Sequence, residues 1–110
     1  HGQIFDGGWC ADYPDPENFA DVLFHTGVPQ NQGGYSNPEL DTLLEAARIE
    51  PDVTKRIAMY QEAERIIVND APVIFTTHSL SYQLVQSYVK GYVNTPISIS
   101  SERYMWLDGK

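Results

Sequence analysis

The chain of 110 residues is 42% hydrophobic, which is enough for one domain with a core, and no run reaches the ~18 apolar residues of a membrane span. Its formal net charge of -8, with only seven scattered Lys and Arg, argues against a nucleic-acid-binding surface. Residues 1–36 contain several acidic residues but no Lys or Arg, so a ligand that meets this part is expected to be cationic there.

The first predicted elements are a short strand and a helix, separated by a polar, kinked segment. Ile4 and Phe5 form the apolar centre of the strand, which the following glycine pair ends. The helix is expected to begin at Asp15, which can cap it, and to end at Gly27. Its apolar residues recur at helical spacing: Phe19, Val22 and Leu23.

A long surface loop and a second helix follow. Residues 28–36 have no hydrophobic periodicity and are rich in Gly, Pro, Asn and Gln, which is typical of a loop. The second helix is predicted to begin with Asn37 as its cap and Pro38 in its first position. One face of this helix is apolar: Leu40, Leu43, Leu44 and Ala47.

A third helix is predicted after Pro51, because the residue before a proline is pushed out of helical geometry. Asp52 can cap this helix, which should run to about Asn69. Its predicted buried stripe is Ile57, Tyr60, Ala63 and Ile67. The charged residues are interpreted as a solvent-exposed face without a function: Lys55, Arg56, Glu62, Glu64 and Arg65.

The residue composition changes after Asp70. Residues 71–93 are rich in β-branched and aromatic side chains and are bounded by Pro72 and Gly91, which predicts one or two strands. The tail alternates in "ISIS" and ends in "RYMWLD", which is typical of an irregular crossing followed by a short terminal strand.

Three segments in order resemble the C-terminal part of the extracellular solute-binding proteins of family 5, which serve oligopeptide and dipeptide ABC importers. They read "GWCADYPDPENF", "GYSNPELDTLLEAAR" and "RIAMYQEAERIIVNDAPVIF". The resemblance runs from about Gln3 to at least Tyr92. Family members are several times longer, so the resemblance implies a fragment of an α/β, two-lobed, class II periplasmic-binding-protein-like fold, with three helices and short strands.

The same resemblance implies how the chain divides between the lobes. Residues 1–79 would belong to the second lobe and would carry a ligand-facing turn. Residues 80–110 would contain the hinge return, near Ser79 to Gln83, and a segment of the first lobe.

The resemblance also implies ligand-binding residues. An Asp at the position of Asp12 pairs with the α-ammonium group of the ligand in peptide-binding members, and the residue at the position of Trp9 lies beside the pocket. Tyr13 and Tyr35 are further ligand candidates, although packing or surface exposure also explains each of them. From the residues alone, Asp12 could instead brace a proline-rich turn, and Trp9 could be a core aromatic.

The function implied by the resemblance is capture of peptides, or of another small cationic solute, and delivery to an ABC permease, in the periplasm or outside the cell, with a lipoprotein anchor as one variant. Related proteins take up nickel complexes, sugars or other solutes. A different class of function is a structural piece that forms a homo-oligomer through exposed apolar faces.

A small metal-dependent enzyme is the remaining alternative. His and Cys residues are present, but no HxxxH, HExxH, CxxC or GxSxG spacing occurs, so neither catalysis, nor a metal, nor a cofactor is expected. Cys10 is the only cysteine. Its counterpart is disulfide-bonded in some family members, and since no partner lies in this chain, a free, buried thiol is expected.

Overall fold

The computed structural model describes residues 6–94 and 101–109 and contains three helices and two short strands within them. The elements are α1 (Glu17–Phe24), α2 (Pro38–Ile49), α3 (Val53–Asp70), β1 (Val89–Lys90), a 3-10 turn (Ser101–Tyr104) and β2 (Trp106–Leu107). The chain divides into two compact units, His1–Ile74 and Phe75–Lys110. The predicted mixed α/β class with three helices is confirmed. The strand predicted at Ile4 and Phe5 and the "ISIS" alternation lie outside the described residues.

The starts of α2 and α3 are confirmed as predicted. The Asn37 side chain accepts hydrogen bonds from the backbone N–H groups of Glu39 and Leu40, at 2.9 and 3.2 Å. The Asp52 carboxylate accepts one from the N–H of Lys55 at 2.9 Å. Each contact satisfies an N–H group that has no partner inside the helix, which is why Asn and Asp are favoured at these positions.

Helix α1 differs from its prediction at both ends. It begins at Glu17 with Pro16 as N-cap, although the Asp15 carboxylate does accept the N–H of Glu17 at 2.9 Å. It ends at Phe24 rather than near Gly27. After it, the N–H of Thr26 donates to the Asp41 carboxylate on α2 at 2.9 Å, so a tertiary contact replaces another helical turn.

The core of the first unit lies among the three helices. Its buried apolar residues are Ala20, Leu40, Leu44, Ala47, Tyr60, Ala63 and Ile67. The predicted apolar faces of α2 and α3 are therefore largely confirmed, with one correction. Ile57 is 37% exposed, and the first buried residue of α3 is Tyr60.

Two polar residues and Ala20, rather than the predicted apolar stripe, form the buried side of α1. Asn18 and Asp21 are each only 2% exposed, whereas Phe19 is 42% exposed. Arg48 of α2 donates two hydrogen bonds to the Asp21 carboxylate, from Nε at 2.5 Å and Nη2 at 2.6 Å. These bonds raise the pKa of the Arg48 guanidinium above its usual range. A bidentate ion pair thus joins α1 to α2.

The second unit contains an antiparallel pair of two-residue strands. Val89 pairs with Leu107 and Lys90 with Trp106, so the short terminal strand is confirmed. Gly91 follows with φ of +73°, and a Cβ there would overlap the carbonyl oxygen of Tyr104 and the Trp106 ring. This turn therefore requires glycine.

Of the one or two strands predicted between Pro72 and Gly91, the structure contains one, β1, within the described residues, and it pairs with β2. Large apolar side chains before it are exposed: Ile74, Phe75, Leu80, Tyr82 and Leu84. In the described part of the chain, no helix has the length and apolarity to span a membrane.

Candidate functional site

The candidate site consists of the turn of residues 9–16 that leads into α1 and of the first residues of α1, with Asn18 at its centre. The Asn18 side-chain oxygen accepts a hydrogen bond from the indole Nε1 of Trp9 at 3.1 Å and another from the backbone N–H of Asp12 at 2.9 Å. Asn18 itself is 2% exposed. The structure therefore brings together two of the predicted ligand residues, Trp9 and Asp12, on one buried acceptor.

Asp12 is held through its backbone, while its side chain is exposed. Within the described residues, the oxygen that braces this turn thus belongs to Asn18 rather than to the Asp12 carboxylate. An exposed carboxylate on a fixed backbone can pair with a cation without first breaking a contact that the fold needs.

Tyr13 lies on the same turn and is 41% exposed. Its hydroxyl donates to the carboxylate of Glu17, one turn along α1. This hydrogen bond is the main reason that the pKa of Tyr13 is raised.

Asp15, the second Asp of the turn, has a structural partner. Its carboxylate accepts two hydrogen bonds from the Arg56 guanidinium on α3, at 2.6 and 2.7 Å. This guanidinium is the main cause of the lowered pKa of Asp15. Arg56 also lies over the Tyr60 ring, 5.1 Å from its centroid. The interpretation of Arg56 as part of a solvent-exposed face without a role is wrong, because Arg56 anchors the turn to α3.

Tyr35, the fourth predicted ligand residue, is held by a separate set of partners. Its hydroxyl donates to the Asp70 carboxylate at 2.6 Å, and its ring packs edge-on against Phe24 with centroids 6.4 Å apart. Burial, followed by the hydrogen bond to Asp70, raises its pKa. These contacts explain Tyr35 through packing, and a contact with a ligand stays a prediction.

Cys10 is exposed, contrary to the expectation of a buried thiol. The reason is its place in a segment without regular structure, outside the core that the three helices form. Within the described residues, no group of three or more His, Cys, Asp or Glu could hold a metal ion.

A groove of about 520 Å³ runs between α2 and α3, on residues that the sequence did not single out as ligand-binding. It is mainly apolar, with a carboxylate from each helix among its lining residues: Glu39, Thr42, Leu43, Ala46, Glu62 and Ile66. No polar side chain of the turn lines it, so the groove and the turn are separate features.

Sequence reasoning missed Asn18. Asn is neutral to unfavourable inside a helix because its side chain competes for backbone hydrogen bonds. An Asn in the first turn of α1, directly after a polar turn, was therefore a signal that its side chain reaches back to that turn. The donors it serves lie six and nine residues earlier in the chain.

Comparison with known proteins finds relatives that are dipeptide-binding proteins. The chain is 32% identical over 93 residues to the dipeptide-binding protein of Escherichia coli, covering 82% of this chain and 17% of that protein. It is 36% identical over 95 residues to a probable D,D-dipeptide-binding periplasmic protein of the same species, covering 83% of this chain and 18% of the relative. No family model matches the chain.

A solved structure of a periplasmic binding protein also matches the chain. An ABC transporter-associated periplasmic binding protein from Helicobacter pylori, in complex with the peptide STSA, superposes with a TM-score of 0.73 and 32% identity. The match covers 94% of this chain and 21% of that protein. The chain thus spans about a fifth of the length of the relatives it matches, and it shares the periplasmic-binding-protein fold over that part.

Proposed function

The chain belongs to the dipeptide- and oligopeptide-binding proteins of extracellular solute-binding family 5, of which it matches about a fifth, and we propose that it carries the part that recognises the amino terminus of a peptide. In this proposal it acts within a two-lobed binding protein of the periplasm or cell exterior. That protein delivers peptides, or another small cationic solute, to an ABC permease. Residues 1–79 supply a ligand-facing turn of the second lobe, and residues 80–110 lead back to the first.

The observation that supports this proposal most is the exposed Asp12 carboxylate on a backbone held by buried Asn18, whose side-chain oxygen also accepts from the Trp9 indole. Enclosure between two lobes strengthens an ion pair between a carboxylate and an ammonium group, because water no longer screens it. Trp9 and Tyr13 offer apolar surface without demanding one particular side chain. Recognition through the terminus leaves the rest of the peptide free to vary.

The relatives named above are binding proteins, and we propose that this chain likewise binds a solute and is not an enzyme. Capture and release of a solute needs differential contacts in the open and closed states, but no bond-breaking step. Among other solutes, a neutral sugar would donate hydroxyl hydrogen bonds to the Asp12 carboxylate but would leave its charge unpaired. A ligand with an ammonium group would pair with that charge.

The test is a chimera in which this chain replaces the matching segment of the Escherichia coli dipeptide-binding protein. Calorimetry compares L-alanyl-L-alanine with N-acetyl-L-alanyl-L-alanine, which has the same side chains but no ammonium group. We expect the free dipeptide to bind at least about tenfold more tightly, since a charge-assisted hydrogen bond contributes ~1.5–3 kcal/mol.

Equal affinity for the two dipeptides, or no binding by a chimera that melts cooperatively, would contradict the proposal. A smaller graft of residues 6–27 repeats the measurement if the larger replacement does not fold. The unmodified Escherichia coli protein is the control for both.

Self-association of the isolated chain is a second proposal, and the exposed apolar residues Leu80, Tyr82 and Leu84 support it, at 76%, 82% and 101% exposure. Apolar surface of this kind favours association. Light scattering of the 110-residue chain is expected to show dimers or larger species, and replacing these three residues by serine should restore the monomer. A wild-type chain that stays monomeric at millimolar concentration would contradict this proposal.

A further inference from the structure

We propose that Asn18 is the positioning residue of the candidate site, which sets where the Asp12 carboxylate and the Trp9 indole stand relative to each other. This inference rests on the proposed function for its binding consequences. Its structural part is testable without any ligand.

The amide orientation of Asn18 follows from the chemistry of its partners. Both the Trp9 indole and the Asp12 backbone offer N–H donors, and only the oxygen of an amide can accept from them. The Asn18 nitrogen must then point the other way.

One buried side chain therefore accepts hydrogen bonds from two residues of the turn. Burial to 2% exposure makes these bonds costly to break, because a donor that loses its partner there is not readily rehydrated. The distance from Trp9 to Asp12 along the chain is only three residues, yet no helix or strand fixes their geometry. The Asn18 oxygen, which accepts from both residues, fixes their geometry instead.

Position 18 also connects the turn to the rest of the first unit. Asn18 lies on α1, whose Asp21 is paired with Arg48 of α2, while Asp15 of the turn is paired with Arg56 of α3. The acceptor is thus carried by a helix that is itself anchored. A carboxylate positioned in this way needs little reorganisation when it meets a cation.

The first test uses hydrogen exchange of the Trp9 indole N–H, followed by NMR in the 110-residue chain. Asn18→Leu keeps the shape but removes the acceptor, and it is expected to speed this exchange by about tenfold, near the upper end for one net hydrogen bond. Asn18→Asp keeps an acceptor oxygen and is expected to preserve most of the protection. Asn31→Leu is the matched control, since Asn31 holds Tyr35 instead.

Unchanged indole exchange in Asn18→Leu would overturn the inference. Equal acceleration in Asn31→Leu would overturn it as well, because the effect would then be a general loosening of the first unit. The Trp106 indole, in the second unit, serves as an internal reference.

The second test measures the preference for L-alanyl-L-alanine over its N-acetyl form in the chimera. Asn18→Leu is expected to reduce this preference about tenfold, and Asn18→Asp to retain it. If Asn18→Leu changes indole exchange but leaves the preference intact, the positioning role is wrong and the proposed function stands. If the unaltered chimera has no preference, the proposed function fails, whereas the indole measurement still decides whether Asn18 holds the turn.

Discussion

Replacement of Arg48 by leucine is expected to lower the free energy of unfolding of the first unit by about 3 kcal/mol, at the low end for breaking a buried ion pair. The Asp21 side chain is 3% exposed and would lose both guanidinium hydrogen bonds. Arg48 is itself 44% exposed, so water already screens part of the interaction, which is why the lower end is expected. Urea unfolding followed by the circular dichroism of the helices measures the change.

Arg65→Leu is the matched control for this prediction. Arg65 pairs with Glu62 on the same face of α3, and both side chains are well exposed. An exposed pair of this kind contributes about 0.5 kcal/mol or less. Arg65→Leu should therefore leave the unfolding midpoint nearly unchanged.

A double variant separates the cost of an unpaired charge from the loss of packing. Asp21→Asn combined with Arg48→Leu leaves a neutral amide in the buried position and should recover a large part of the lost stability. A double variant no more stable than Arg48→Leu alone would show that the arginine stem, rather than the ion pair, stabilises the contact between α1 and α2. Equal stability of Arg48→Leu and the wild-type chain would contradict the prediction itself.

Replacement of Asp12 by asparagine is expected to weaken binding of L-alanyl-L-alanine to the chimera by ~1.5–3 kcal/mol, or about 10- to 150-fold. Asparagine keeps the size and the polarity but removes the charge that would pair with the ammonium group. The thermal midpoint should change little, because Asp12 is held through its backbone N–H and its side chain is exposed.

Asp6→Asn is the control, since it removes the same charge from an exposed position of the same acidic, lysine- and arginine-free segment. Binding of the N-acetyl dipeptide is expected to be the same in all three proteins. If Asp6→Asn weakens binding as much as Asp12→Asn does, the attraction is the general negative potential of the segment and not a specific ion pair. Unchanged affinity in Asp12→Asn would remove the ammonium-pairing hypothesis.

Asp12 and Asp15 show how two carboxylates of one turn come to have different roles. Both lie in the proline-containing segment "ADYPDP", and local chemistry makes each a turn or capping residue. Asp15 is paired with an arginine 41 positions away, which lowers its pKa. Asp12 keeps an exposed side chain. Their different roles depend on where α3 packs, and the residues close to each Asp in sequence do not predict this.

The sequence by itself determined the local features of this protein. Asn37 and Asp52 could be identified as helix caps because the N–H groups they satisfy lie two or three residues further along the chain. The apolar faces of α2 and α3 followed from helical periodicity, and the family followed from three motifs in order. Each of these depends on residues that are close in sequence.

Only the tertiary structure decided which polar residues hold the candidate site. Asp21 meets Arg48 across 27 positions, and Asp15 meets Arg56 across 41. The burial of Asn18 and the exposure of Cys10 likewise depend on which surfaces the helices cover. A short stretch of sequence predicts that a polar side chain is solvent-exposed. Burial of that side chain is favourable only when a residue distant in sequence forms a hydrogen bond or ion pair with it, and tertiary packing decides which residue that is.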